Sequence, residues 1–265
     1  MTESQFPKLV ELMARLRGPD GCPWDQTQTH HTLKPYLIEE AYEVLDAVDA
    51  GDDHGLKEEL GDVLLQIVFH AQIAREEGRF TADDVAAAIS EKLIRRHPHV
   101  FGDAVVDSAG QVVQNWEAIK SQEKQERGQE DSVLNGVPRH LPALFRARRV
   151  QEKAARVGFE WANAEEAAQK VREEVEEFLQ ARDGGGPASV EEELGDLLFA
   201  LVNVARFFGC CPEEALRKTI DKFTARFRFI EAELGKEGRH PTTATVEEMD
   251  RLWEEAKGAG PEGKG

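Results

Sequence analysis

The sequence predicts an all-α fold made of two tandem helical-bundle modules related by internal duplication. Two observations carry that reading. Apolar residues recur at steps of three and four along most of the chain, with no sustained alternation of period two, and this spacing lines up one side of a helix. The chain also repeats itself. LIEEAYEVLDA from Leu37 returns as VREEVEEFLQA from Val171, and KEELGDVLLQIVFHA from Lys57 returns as EEELGDLLFALVNVA from Glu191, both 134 residues later. Self-similarity at a fixed offset marks a duplicated structural unit. The duplication assigns residues 1–120 to a first module and 161–257 to a second, with a polar linker and connecting helix over 121–160 and a disordered tail over 258–265.

The elements follow in order. GCPWD (21–25) reads as an ordered loop before the first hairpin. The helix carrying Glu40 ends at GDDHG (51–55), and the helix carrying Glu174 ends at DGGGP (183–187); such clusters stop helices and open turns. Each module is therefore expected to hold an antiparallel helical hairpin. Further helices are expected near 82–96, 141–156 and 212–234. The helix after each turn is nearly apolar all round: Leu60, Val63, Leu64, Ile67 and Val68 in the first copy, Leu194, Leu197, Leu198, Leu201 and Val202 in the second. A helix with so little polar face is expected to be buried, inside a bundle or at a subunit interface.

Composition narrows the partners. With 40 % hydrophobic residues the chain can build a core. Its 33 basic and 51 acidic residues give a net charge of −18, which argues against DNA or RNA, because neutralising phosphates takes a basic surface. Three cysteines make no disulfide framework. No apolar run approaches the roughly 20 residues of a membrane span. The expectation is a cytoplasmic protein that contacts neither membrane nor nucleic acid.

The acids carry the chemistry. In an antiparallel hairpin, residues equidistant from the turn sit level. Residues 43 and 59, and 40 and 62, are centred on Gly51; residues 177 and 193, and 174 and 196, are centred on Gly185. Spacing of three keeps each pair on one helix face. Glu40, Glu43, Glu59 and Asp62 are thus expected to meet, and so are Glu174, Glu177, Glu193 and Asp196. No lysine or arginine stands at these positions, and the two aspartates lie in apolar helices, where a lone carboxylate is costly. A divalent cation resolves the repulsion, and all-oxygen donors select Mg²⁺, with Mn²⁺ as the alternative. It would also bring an acidic protein the positive field that phosphates need. Di-iron bundles use Glu-x-x-His pairs; the one here, Glu237 to His240, lies outside the hairpins. Gly61 and Gly195 sit inside helices, where glycine costs about 1 kcal/mol, and this points to close approach of a helix or a phosphate.

Basic and aromatic residues complete the pattern. Lys222 and Arg226 are four apart on one helix face, and Lys92 and Arg96 hold the matching places in the first module. Lys170 precedes the second EExxE. Such cations suit outer phosphates and the charge that develops on their transfer. Trp116 and Trp253 correspond across the repeat and are candidates for stacking on a base. The histidines His30, His31, His97 and His99 have no counterparts in the second module.

EExxE followed by ExxD on a hairpin resembles the all-α nucleoside triphosphate pyrophosphohydrolases. GCPWD, QTHHTLKPYLIEEAYEVLDA, KLIRRHPHVFGD, ARRVQEKAARVGFEW and ELGDLLFALVNVAR together resemble the two-module MazG family over residues 7–257. The resemblance implies a homodimer that hydrolyses nucleoside triphosphates, ribo and deoxy, to the monophosphate and pyrophosphate with Mg²⁺, in nucleotide-pool housekeeping. It implies that the second module is the main catalytic one. It assigns the metal ligands to Glu174, Glu177, Glu193 and Asp196, and the nucleotide contacts to Lys170, Glu173, Lys222, Arg226 and Trp253. Where the family pattern has a basic residue four positions before Glu193, this chain has Ser189. On this reading water attacks the α-phosphorus, Glu173 or Glu174 takes its proton, and Lys222 and Arg226 neutralise the departing pyrophosphate. Glu40, Glu43, Glu59 and Asp62, with Lys92 and Arg96, form a second candidate metal site. The alternative, from a different class, is a catalytically silent metal–nucleotide-binding or regulatory helical module.

Overall fold

The computed structural model describes residues 4–126 and 132–259. Among them are twelve α-helices, one 3-10 turn and no strand. The chain divides into two compact units, residues 1–128 and 129–265.

The first unit contains α1 (Gln5–Leu16), α2 (Pro23–Thr27), α3 (Lys34–Ala50), α4 (Asp53–Glu76), α5 (Ala82–Arg96), α6 (Pro98–Phe101) and α7 (Ala109–Glu126). α3 and α4 form the hairpin. Gly51 ends α3 in the left-handed conformation, φ 64°, which a residue with a Cβ adopts only at a cost. Asp52 then caps α4 by accepting from the His54 amide. α1 lies on α4, and the core between them is Met13, Leu33, Val68, Phe69 and Ile73. Arg17 closes its edge, 2.7 Å from Glu76 and 5.5 Å above the Phe69 ring. A Thr81–Asp84 capping box opens α5.

The second unit contains α8 (Ala143–Ala155), α9 (Ala164–Gly184), α10 (Pro187–Phe207), α11 (Pro212–Lys236), a 3-10 turn (Pro241–Thr243) and α12 (Val246–Ala259). Asn163 caps α9, and Pro187 and Pro212 open α10 and α11. α9 and α10 form the hairpin and α8 lies on α10, repeating the α1–α4 contact. α11 packs on α12 and α8, with Ile230, Leu234 and Leu252 at the centre of its core.

Several expectations change. Within GCPWD, Pro23 starts a short helix instead of extending a loop. The stretch from Ser121 begins inside α7, which runs to Glu126; residues 127–131 lie outside the described residues. Gly258 and Ala259 belong to α12 and not to the tail, whose residues 260–265 also lie outside. The apolar hairpin helices are not fully buried by their own chain. Leu60, Leu64 and Ile67 are 52, 37 and 42 % exposed, and Leu194, Leu198 and Leu201 are 43, 41 and 46 % exposed. Each set runs i, i+4, i+7, so one side of the helix is covered by α1 or α8 and the opposite stripe is left uncovered. Nothing approaches within 4 Å of where a Cβ would stand at Gly61 or Gly195; the close approach expected there is not supplied by this chain.

Candidate functional site

Both hairpins bring carboxylates together. Glu40, Glu43 and Glu59 each place an oxygen within 4.8 Å of the others, and so do Glu174, Glu177 and Glu193. The level pairing follows from where each helix stops: Gly51 in the first hairpin, Gly185–Gly186 in the second. Asp62 and Asp196 stand beside these trios. Both are exposed and not buried as expected, because they lie on stretches of α4 and α10 whose outer apolar stripe the chain leaves open. Asp62 is still near enough to push up the carboxyls of Glu40 and Glu59.

The two trios differ in their cations. Lys170, one turn before Glu174, sits 2.7 Å from Glu173 and 2.8 Å from Glu174; the four hairpin positions themselves carry no basic residue, but this neighbour reaches them. The hydrogen bonds that Lys170 donates to these two glutamates hold its ammonium well above its ordinary pKa. The residue 134 positions earlier is Tyr36, which lies edge-on to Trp24. The carboxyls of the first trio are shifted by desolvation and by one another, with a Gln66 hydrogen bond opposing the shift at Glu40. Desolvation, then Asp62 and Glu43, raise the pKa of Glu40; desolvation, then Glu43 and Asp62, raise that of Glu59. In the second trio desolvation and the charges of Glu174, Glu173 and Glu193 raise Glu177, opposed by Lys170.

Glu174 is the telling residue. It is 5 % exposed, and although Oε1 faces Lys170, Oε2 is buried without a hydrogen-bond partner. A buried carboxylate oxygen with no donor is costly. Three clustered carboxylates with one oxygen so placed are a donor set that suits a hard divalent cation.

The remaining candidates stand on other helices. Lys222 and Arg226 stand on α11, which packs on α8 and α12; Lys222 is exposed, and the Arg226 guanidinium lies 5.5 Å above the Trp253 ring. Trp253 is itself packed 5.1 Å from Phe223. In the first unit Lys92 is exposed, while Arg96 is engaged by Glu123 on α7 at 2.5 Å. Trp116 packs edge-on to His97, and His30 stacks on His70 with ring centroids 5.0 Å apart. His30 also contacts the Arg79 guanidinium through Nε2, so these histidines meet each other, an indole or an arginine.

A helical hairpin that gathers three carboxylates, present twice in one chain, defines an all-α carboxylate-cluster protein. Comparison with known sequences narrows this class. The MazG nucleotide pyrophosphohydrolase domain matches residues 28–101 and 163–228, which span both hairpins. The chain is 50 % identical over 253 residues to the nucleoside triphosphate pyrophosphohydrolase/pyrophosphatase MazG of Thermotoga maritima, covering 96 % of each. It is 46 % identical over 257 residues to the nucleoside triphosphate pyrophosphohydrolase of Escherichia coli K12, covering 96 % of this chain and 97 % of the relative. It is also 50 % identical over 254 residues to the uncharacterized protein YabN of Bacillus subtilis, of which it spans 52 %. The chain belongs to the MazG nucleotide pyrophosphohydrolase family.

Proposed function

We propose that this protein is a nucleoside triphosphate pyrophosphohydrolase. It converts ribo- and deoxynucleoside triphosphates to the monophosphate and pyrophosphate, with Mg²⁺, or Mn²⁺ in its place, held by Glu174, Glu177, Glu193 and Asp196. The observation that carries the reading is the buried, unpartnered Glu174 Oε2 inside a carboxylate trio, in a chain whose relatives bear that activity in their names. The bound cation supplies polarisation of the phosphate oxygens and a more acidic water. The chain's residues do the rest. Water adds to the α-phosphorus as the bond from that phosphorus to the bridging oxygen breaks. Glu173, outside the trio and oriented by Lys170, takes the proton of the water. Lys170, Lys222 and Arg226 offset the charge on the phosphates and on the departing pyrophosphate.

The second unit is proposed as the catalytic one, since Lys170 tempers its trio. The first unit has Tyr36 at that place, which favours a silent or regulatory metal–nucleotide site there. A homodimer is the proposed assembly. The open stripes Leu60–Leu64–Ile67 and Leu194–Leu198–Leu201 are the kind of apolar seam that a second copy would cover. No single helix among the described residues is long and apolar enough to cross a membrane, and a net charge of −18 disfavours nucleic acid. Work on nucleotide pools in the cytoplasm fits this chemistry.

The test is direct. The protein is incubated with a panel of NTPs and dNTPs, with and without Mg²⁺, and pyrophosphate is measured. Cation-dependent pyrophosphate in equal amounts with monophosphate is expected. Nucleotides left intact with every divalent cation, or orthophosphate as the first product, would overturn the assignment.

A further inference from the structure

A cavity of about 550 Å³ opens beside the second carboxylate trio, within the size range of small-molecule pockets. Lys170, Glu174 and Asp196 form part of its wall, so it is continuous with the candidate metal site. Its other walls mix two kinds of surface. Trp161 and Phe199 are flat and apolar; Gln151, Asn203 and Arg206 are polar.

The polar groups are incompletely matched. Gln151, on α8, is 6 % exposed. Its Nε2 donates to the Phe199 carbonyl at 2.8 Å, and this settles which way the amide faces, because only the nitrogen can donate. Gln151 Oε1 is then buried with no donor. Arg206 is held on two sides, by Glu160 at 2.7 Å and by Asn203 Oδ1 at 3.0 Å, yet its Nε is buried with no acceptor. Because Asn203 Oδ1 accepts from Arg206, the Asn203 amide nitrogen keeps its donors available. With Glu174 Oε2, three buried polar atoms without a partner belong to side chains lining this one cavity.

The duplication provides a control inside the same chain. At the 134-residue offset, Asn203 corresponds to Phe69 and Arg206 to Gln72. Phe69 is 3 % exposed and packs with Met13 and Leu33, so an apolar core occupies the corresponding place on α4. Gln72 donates to Glu76 at 2.9 Å, while its Oε1 is buried without a partner and lines a smaller cavity of about 240 Å³. That cavity is not lined by the first carboxylate trio, whereas the larger one in the second unit has Glu174 in its wall.

We propose that the cavity lined by Gln151, Trp161, Asn203 and Arg206 receives the nucleobase of the substrate and determines which bases are accepted. This deepens the proposed pyrophosphohydrolase reading and rests on it for the identity of the ligand. A base suits the walls where a further phosphate does not. Gln151 Oε1 requires a donor, which a phosphate oxygen lacks and a base N–H supplies. The Arg206 and Asn203 N–H groups require acceptors, which ring nitrogens and carbonyls supply. Trp161 offers a face for stacking. Continuity with Glu174 lets one ligand keep its phosphates at the trio and its base in the cavity. In the first unit Phe69 stands in place of Asn203 and is packed into the core.

The experiment uses the full chain and the variants Gln151→Leu, Asn203→Phe and Trp161→Phe, checked for folding by circular dichroism. Nucleosides, which carry no phosphate, are titrated against tryptophan fluorescence, and kcat and KM are measured for the four NTPs with Mg²⁺. Expected are quenching by nucleosides that is lost in Trp161→Phe, and a rise in KM of about tenfold in Gln151→Leu, the loss of one buried hydrogen bond. The ranking among the four bases should flatten, and Asn203→Phe should abolish nucleoside binding. Quenching that survives in Trp161→Phe, together with an unchanged base ranking in Gln151→Leu, would mean that the cavity holds water only, and would overturn the inference. If Asn203→Phe fails to fold, the other two variants decide. A wild-type protein that quenches with nucleosides but releases no pyrophosphate would refute the activity and not the pocket.

Discussion

Lys170 shows how much rests on single side chains. Its two ion pairs hold a carboxylate that is otherwise buried, so Lys170→Ala should leave Glu174 uncompensated. A loss of about 2 kcal/mol is expected for an unpaired buried charge, read as a lower urea midpoint, with Mg²⁺ restoring part of it. Retention of wild-type stability would show that Glu174 does not depend on this lysine. Glu123 tests a different pair. Hydrogen bonds from Arg96 and Arg95 hold its pKa down to about 2, from an ordinary 4.5. A depressed carboxyl stabilises the fold above its unfolded value, and that stability disappears as pH falls through the folded value. Glu123→Gln should therefore lower Tm at pH 7, with the gap to wild type narrowing below pH 4.5 and closing near pH 2. A gap of constant size would mean that the pair contributes through packing and not through charge.

At the scale of the element, the hairpin turn decides which acids meet. Gly51 is left-handed at φ 64° with open space around it, so Gly51→Ala adds backbone strain and no clash. A loss of about 1 kcal/mol is expected, measurable by chemical denaturation. Gly195 is the opposite case. It sits inside α10 with nothing within 4 Å of an added Cβ, so Gly195→Ala should stabilise the single chain by up to about 1 kcal/mol. If that variant is more stable and yet loses pyrophosphate release, the space at Gly195 is used by substrate or by a second copy. Unchanged activity would mean that the glycine has no such use. The helix periods, the breakers and the centring of the acids on Gly51 and Gly185 were legible beforehand, because turn position and helical phase are local properties. The reach of Lys170 to Glu174 is an i,i+4 pair whose spacing is visible in the sequence. Asn203 within LLFALVNVAR, aligned with Phe69, was the visible sign of the cavity: a polar residue in an otherwise apolar run.

At the scale of the molecule, the uncovered stripes on α4 and α10 bear on assembly. A dimer seam there predicts that Leu194→Glu combined with Leu201→Glu shifts the protein to monomer in sedimentation or light scattering. A wild-type protein that is already monomeric at micromolar concentration would remove the seam from the account. The duplication itself has diverged in a readable way. Both units keep three clustered carboxylates; in the second, Lys170 pairs with Glu174 and both line a cavity of about 550 Å³. The first has Tyr36 and a Met13–Phe69 core in the corresponding places. Sequence by itself determined the all-α fold, the two repeats and the spacing of the acids, because helical period and chain breaks are set by neighbours along the chain. Only the tertiary structure decided which carboxylate oxygen is buried without a partner, which polar atoms line the cavity and which apolar stripes stay open. Those depend on what residues far apart in sequence cover, and burial is a property of the packed whole.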